Sequence, residues 1–178
     1  MRETSDPNDA ACPRIRWGES NEEPQTSTPE VCATHAQFQA NKMDGFEQHI
    51  EEMKELLDRL LAATPYSFDE SLRSNLPEEP GLYMIFTRND GLEEVLRAGR
   101  TSGAGGLRQR VYQNHLMGNQ SGNLRAQLVG AKICKDLTEA KIWTRANCWV
   151  RFLVVKDGNA LRWGEHFILS VLRPTFCD

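Results

Sequence analysis

Two short strand-like runs separated by a tight turn constrain this chain more than any other feature. The first run spans 81–86 and the second spans 94–98. Between them lies Arg-Asn-Asp-Gly at 88–91, and an Asp-Gly pair accepts the positive φ angles that a tight turn needs. The pattern predicts two strands joined as an antiparallel hairpin.

Helical patterns and one further strand follow the hairpin. The run 148–155, Cys-Trp-Val-Arg-Phe-Leu-Val-Val, has the strongest strand propensity in the chain. Helices are predicted over 107–117, 123–131, 138–145 and 160–172, the last stopping before Pro174. This order predicts an α+β fold, in which a small mixed or antiparallel three-stranded sheet is flanked by helices.

The first part of the chain has a different character. Residues 1–40 are polar and carry four prolines, so we expect a disordered tail. Residues 41–64 form a predicted amphipathic helix whose apolar positions follow heptad spacing: Met43, Phe46, Ile50, Met53, Leu57 and Leu60. We expect this helix either to pack as a brace on its own domain or to form the interface of a homodimer. The folded domain is predicted over residues 77–178.

The charge is divided unevenly along the 178 residues. Residues 1–79 carry a net charge of −10 and residues 80–178 a net charge of +6. A basic second half is compatible with a polyanionic partner. The sequence contains no run of 18 apolar residues, so we expect no membrane span. It has no apolar segment near residue 1, so we expect no secretory signal. We therefore expect an intracellular protein, cytoplasmic or nuclear, with its five cysteines reduced.

The predicted last helix carries a carboxylate on its apolar face. Leu161, Ile168 and Leu172 define that face, and Glu165 lies four residues after Leu161. A carboxylate among apolar groups is costly unless a cation or hydrogen-bond donors satisfy it. Three interpretations remain open for Glu165: a divalent-metal ligand, a general base, or a structural pair with an arginine.

A second candidate site lies at the start of helix 107–117. Arg108 and Arg110 follow a glycine-rich loop, and guanidinium groups beside a helix start suit an oxyanion or phosphate. The loop matches neither a P-loop nor a dinucleotide fingerprint. Strand alternation separates Tyr83 from Leu82, and the hairpin could place Tyr83 beside Arg97.

Taken in order, these motifs resemble the GIY-YIG nuclease superfamily. The matching segments are Gly81-Leu82-Tyr83, Arg97-Ala98-Gly99, Arg110, Glu165 and the ending Arg173-Pro174-Thr175-Phe176-Cys177. Two positions depart from the superfamily's pattern. Arg97 stands where its second motif has tyrosine, and Cys177 stands where its ending has asparagine.

The resemblance implies a divalent-metal-dependent endonuclease that hydrolyses phosphodiester bonds in DNA, with RNA as a further possibility. Tyr83 would be the general base or would orient the attacking water, and Arg110 would hold the scissile phosphate. Glu165 would bind one Mg²⁺ or Mn²⁺ ion. Arg97 would clamp phosphate or pair with Glu165.

Further contacts to nucleic acid are expected from basic residues near this site: Arg100, Arg108, His115, Arg125 and Lys132. Two alternatives remain. The domain could be a catalytically weakened nucleic-acid-binding module, or the chain could be a protein-interaction factor acting through helix 41–63.

Overall fold

The computed structural model describes residues 29–118 and 120–177, with side chains from Gly45 onward. The described residues form four strands: β1 (Tyr66–Ser67), β2 (Gly81–Asn89), β3 (Leu92–Thr101) and β4 (Cys148–Val154). The helices are α1 (Pro29–Ala62), α2 (Leu72–Asn75), α3 (Leu124–Gly130), α4 (Leu137–Asn147) and α5 (Gly158–Leu172). A π-helix spans Arg108–Leu116, within the predicted helix 107–117.

The four strands form one antiparallel sheet in the order β1-β4-β2-β3. The predicted α+β class is confirmed, but the sheet has a fourth strand that the sequence did not predict. Strand β1 contains only two residues, too few to show an alternating pattern. The predicted hairpin turn is present, with φ of 51° at Asp90 and 81° at Gly91.

Strand β2 lies between β4 and β3, and its residues 81–87 are buried. Tyr83 and Ile85 pack in one apolar cluster with Leu107 and Val111 beside the π-helix. The opposite face packs in a second cluster, which contains these β2 residues: Leu82, Met84 and Phe86. The predicted separation of Tyr83 from Leu82 is thus observed, because successive strand residues point to opposite faces.

Part of α1 packs on this second face of the sheet. Met53, Leu57 and Leu60 are buried in the cluster that contains Leu82, whereas Phe46 is 60% exposed. The side chains at the heptad positions from 53 to 60 therefore pack against the sheet of their own domain. No helix among the described residues is both long and apolar enough to cross a membrane.

Helix α1 begins at Pro29 rather than at residue 41. The structure therefore has helix over residues 29–40, where the sequence predicted disorder. Once a helix is nucleated, each further residue adds a hydrogen bond without a new nucleation cost, so polar residues can extend it. The rest of the predicted tail, residues 1–28, lies outside the described residues.

The cysteines whose side chains are described are free thiols: Cys134, Cys148 and Cys177. Burial raises the pKa of the Cys148 thiol to about 12, so this side chain stays protonated and unreactive near neutral pH. Cys12 and Cys32 lie outside the described side chains.

The packing of α1 gives a first prediction. Leu60 is fully buried and Leu61 is 39% exposed, so neighbouring leucines have different surroundings. Leu60→Ala should lower the free energy of unfolding by about 2–5 kcal/mol, because it leaves a cavity between α1 and the sheet. Leu61→Ala is the control and should change it by less than about 0.5 kcal/mol. Chemical denaturation of both variants tests this, and equal losses would contradict the packing.

Candidate active site

The hydroxyl of Tyr83 is held in the interior by two side chains of the π-helix. His115 Nε2 lies 2.8 Å from the Tyr83 oxygen, and Arg110 Nε donates to the same oxygen at 3.2 Å. Tyr83 and His115 are both fully buried. The central strand and the π-helix are thus joined by polar groups as well as by apolar packing.

The hydrogen bonds define which nitrogen of His115 carries its proton. The backbone N–H of Leu124 donates to His115 Nδ1 at 3.2 Å, so Nδ1 is an acceptor. In a neutral imidazole the other nitrogen then carries the hydrogen, and Nε2–H donates to Tyr83. The Tyr83 oxygen therefore accepts two hydrogen bonds, one from a neutral ring and one from a guanidinium group.

Burial keeps His115 neutral. Loss of hydration lowers the pKa of this imidazole well below its usual 6.5, and the positive charges of Arg97 and Arg110 lower it further. The prediction that His115 contacts nucleic acid is wrong, because a fully buried side chain cannot reach a polyanion. Its side chain instead forms hydrogen bonds with Tyr83 and with the Leu124 backbone.

The π-helix explains why the sequence did not reveal this arrangement. Arg110 and His115 are five residues apart, which in an α-helix of about 3.6 residues per turn places them about 140° apart. Hydrogen bonding from i to i+5 makes the turn wider, so residues five apart lie on nearly the same side. Both side chains can then reach the same tyrosine oxygen.

Two motif glycines provide the space that Tyr83 and its strand require. Tyr83 pairs with Gly99 of β3, and a Cβ atom at Gly99 would lie 2.9 Å from the Tyr83 hydroxyl oxygen. A Cβ atom at Gly81 would overlap the carbonyl oxygen of Leu153 in β4. Only glycine fits at either position without displacement of its neighbour.

A cavity of about 230 Å³, here called the central cavity, brings together three of the predicted site residues: Arg97, Arg110 and Glu165. Its other lining residues are Ala98, Gly99, Leu169, Phe176 and Cys177. Tyr83 is not among the lining residues, because its side chain is fully buried behind this wall, next to Gly99 and hydrogen-bonded to Arg110. The general-base role of Tyr83 therefore remains a prediction.

The chain ending brings Cys177 to this cavity. Arg173 ends α5 in the left-handed region, with φ of 45°, which turns the chain back towards β3. The backbone N–H groups of Thr175 and Phe176 then donate to the carbonyl oxygens of Val95 and Leu96. Cys177 therefore lies in the wall of the central cavity.

Arg97 lies on the same sheet face as Tyr83 but not directly opposite it. It pairs with Ile85, two pairs further along the hairpin than the pair of Tyr83 with Gly99, so Arg97 and Tyr83 are diagonal neighbours on one face. Its guanidinium Nη1 donates to Gln127 at 2.6 Å, and the residue is only 3% exposed. A buried guanidinium in a cavity wall can bind an anion that enters the cavity.

Glu165 is paired with Arg100, the structural pair that the sequence left open. Its Oε2 accepts from Arg100 Nε at 2.6 Å and its Oε1 accepts from the Arg100 backbone N–H at 3.1 Å. The pair lies at the rim, with side chains 36% exposed for Arg100 and 21% for Glu165. The guanidinium group of Arg100 is therefore occupied by Glu165, and its predicted contact to nucleic acid is not tested.

The remaining predicted basic residues are distributed differently. Arg108 donates to the carbonyl oxygen of Leu76 and to Glu78, and Arg125 donates to three carbonyl oxygens, those of Leu116, Met117 and Leu137. Both hold loops together, which does not support the predicted contacts to nucleic acid. Lys132 is exposed after α3 and its predicted contact is not tested.

A second, more polar opening adjoins the central cavity and shares Arg110 with it. This adjoining cleft has a volume of about 340 Å³ and includes Arg100, Asn114 and Gln120 in its lining. Gln120 Oε1 accepts from Arg110 at 2.9 Å and from Asn114 at 2.7 Å. Sequence reasoning did not single out Gln120, because no motif marks a glutamine in the loop after the π-helix.

Similarity to known proteins is found among solved structures. No family model matches the sequence, and no curated protein matches it. Two structures of the GIY-YIG N-terminal endonuclease domain of UvrC from Thermotoga maritima are similar, each a point mutant bound to its catalytic divalent cation. They are 20% and 19% identical, cover 62% of this chain and 99% of their own, and have a TM-score of 0.38.

The neutral buried His115 predicts how stability depends on pH. Its pKa is lowered in the folded state, so below about 6.5 the unfolded chain binds a proton that the folded chain does not. Stability should therefore fall as the pH decreases below 6.5, with a limiting slope of about 1.4 kcal/mol per pH unit. Urea denaturation between pH 7.5 and 5.5 measures this slope.

His115→Gln should flatten that dependence, although it also lowers stability at pH 7.5. His166→Gln is the matched control, since His166 is exposed on α5, and should leave the slope unchanged. A slope that survives in His115→Gln would show that another group is responsible.

Gly99 gives a separate prediction about the space around Tyr83. Gly99→Ala should destabilise the fold by about 1–3 kcal/mol, because its methyl group displaces the Tyr83 hydroxyl from His115 and Arg110. Gly130→Ala is the control, since a Cβ atom there meets nothing within 4 Å in α3. Thermal unfolding of both variants distinguishes them, and equal stability would mean that the hydroxyl can move at little cost.

Proposed function

We propose that residues 77–178 form a divalent-metal-dependent endonuclease domain that hydrolyses phosphodiester bonds in DNA. The observation that supports this most directly is the central cavity, whose wall contains the guanidinium groups of Arg97 and Arg110 and the carboxylate of Glu165. Two positive groups suit a phosphate, and a carboxylate beside them suits a metal ion that shares that phosphate.

Arg110 is the proposed phosphate-binding residue. Its guanidinium group lines both the central cavity and the adjoining cleft, so it can contact a backbone that passes from one to the other. The bond from its Nε to Tyr83 fixes one side of the guanidinium group. Oriented donors of this kind stabilise the negative charge that develops on phosphate oxygens during hydrolysis.

Arg97 supplies a second positive group where the superfamily pattern has tyrosine. Arginine has no phenolic hydroxyl, so it cannot take over the chemistry of that tyrosine, and its guanidinium group is held by a hydrogen bond to Gln127. It is proposed to clamp the same phosphate together with Arg110. Arginine suits this function because its planar fork matches two phosphate oxygens.

The residues present fit one divalent cation bound together with substrate. No group of three or more His, Cys, Asp or Glu side chains that could hold a metal occurs in the described part of the chain. Glu165 is the carboxylate of the central cavity, and Mg²⁺ commonly binds through one carboxylate plus substrate phosphates and water. When bound, such an ion would polarise the phosphate and activate water.

Tyr83 and His115 are proposed to position Arg110 rather than to contact the substrate. Both are fully buried, and Tyr83 reaches the cavity wall through its bond to Arg110. DNA is the proposed substrate because the motifs resemble those of GIY-YIG nucleases, and the net charge of +6 over residues 80–178 favours a polyanion. The interaction-factor alternative is weakened, since Met53, Leu57 and Leu60 of α1 are buried within the domain.

Cleavage assays test the proposal. The full chain with Mg²⁺ or Mn²⁺ should cleave plasmid or single-stranded DNA, and Glu165→Gln should lower the rate by at least about 10²-fold because the carboxylate that shares the metal is lost. Glu70→Gln is the matched control, because Glu70 is exposed and pairs with Arg145 away from the cavity. Its rate should equal that of the wild type.

The alternatives predict different results. Equal cleavage by wild type and Glu165→Gln would rule out Glu165 as the metal ligand and point to a contaminating nuclease. Binding of DNA without cleavage, in both proteins and with either metal, would identify a nucleic-acid-binding module instead.

A further inference from the structure

Arg100 occupies the carboxylate that the proposed function assigns to a metal ion. It uses two different groups, its backbone N–H on Oε1 and its side-chain Nε on Oε2 of Glu165. The backbone group is fixed by strand β3, whereas the side chain is 36% exposed and can rotate into solvent. The pair can therefore open at Oε2 while the bond at Oε1 remains.

A metal ion and the Arg100 guanidinium compete for the same carboxylate. Two cations that share one carboxylate repel each other at short distance, more strongly at a partly buried site than in bulk water. Arg97 and Arg110 add positive charge to the same cavity. Without an anion in the cavity, the local charge thus disfavours binding of a metal ion to Glu165.

A phosphate in the adjoining cleft can remove this competition. Arg100 lines that cleft together with Arg110, so its guanidinium has a second place to bind a short distance from Glu165. A guanidinium group forms paired hydrogen bonds with phosphate oxygens as it does with a carboxylate. Substrate backbone in the cleft would therefore attract Arg100 away from Oε2.

We propose that Arg100 is a positioning residue that masks Glu165 until a phosphodiester backbone enters the adjoining cleft. The exchange of partners then frees Oε2 for the metal ion, so metal and substrate bind cooperatively. This inference rests on the proposed function of Glu165 and goes beyond it, because it assigns to Arg100 the coupling between the two ligands. It also keeps the metal from binding where no substrate is present.

Two binding measurements test the mask, because Arg100→Gln should raise the affinity for Mn²⁺ and lower the affinity for DNA. In the first, Mn²⁺ alone is titrated into the full chain and free Mn²⁺ is followed by electron paramagnetic resonance. Arg100→Gln should bind Mn²⁺ about tenfold more tightly than the wild type, because the competing guanidinium is gone. The double variant Arg100→Gln with Glu165→Gln should lose that gain.

In the second measurement, a fluorescent DNA duplex is titrated in EDTA and followed by anisotropy. Arg100→Gln should bind the duplex about fivefold more weakly, because the proposed contact to phosphate is lost. A variant that merely misfolds would bind both Mn²⁺ and the duplex more weakly. Tighter binding of Mn²⁺ combined with weaker binding of the duplex is therefore specific to the mask. Arg145→Gln is the matched control, since Arg145 pairs with exposed Glu70, and should change neither affinity.

Unchanged or weaker Mn²⁺ binding by Arg100→Gln would overturn the mask, and unchanged duplex binding would overturn the transfer of Arg100 to substrate. If Arg100→Gln is unfolded by circular dichroism, Arg100→Met keeps the aliphatic stem and carries the same expectations. These results are separable from the cleavage assay. Cleavage that depends on Glu165 with unchanged Mn²⁺ affinity in Arg100→Gln rejects the mask alone, whereas failure of cleavage rejects the proposed nuclease.

Discussion

The hydrogen bond between Tyr83 and His115 connects the two parts of the molecule on which the candidate site depends. Tyr83 lies in the central strand and His115 in the π-helix, and both are fully buried. A buried polar group without a partner costs free energy, so this bond selects one position of the helix against the sheet. That position places Arg110 in the wall of the central cavity.

The same contact determines the chemistry that surrounds it. Because His115 accepts from the Leu124 backbone and stays neutral, it presents a hydrogen-bond donor to Tyr83 and adds no charge near Arg97 and Arg110. The positive charge of the cavity therefore comes from guanidinium groups alone. Guanidinium groups form paired hydrogen bonds with phosphate oxygens, which suits a site for phosphate.

Charge balance at the rim links this cavity to the adjoining cleft. Arg100 neutralises Glu165 in the structure, and Gln120 accepts from Arg110, so both candidate ligand-binding groups have partners within the protein. Each of these partners is partly exposed and can be exchanged for a substrate oxygen. The site is thus ordered before substrate binds, at the cost of contacts that binding must replace.

Local patterns in the sequence determined the hairpin, its Asp-Gly turn, the separation of Tyr83 from Leu82 and the order of the motif residues. These follow from strand alternation and turn chemistry, which depend on near neighbours in the chain. Only the tertiary structure decided that His115 is buried, that Arg100 is the partner of Glu165, and that β1 joins the sheet. The first physical reason is that a π-helix changes which side chains lie on the same face of the helix. The second is that the ion pair between Arg100 and Glu165 joins residues 65 positions apart, so it depends on how β3 and α5 pack. Neither is encoded in the spacing of residues along one element.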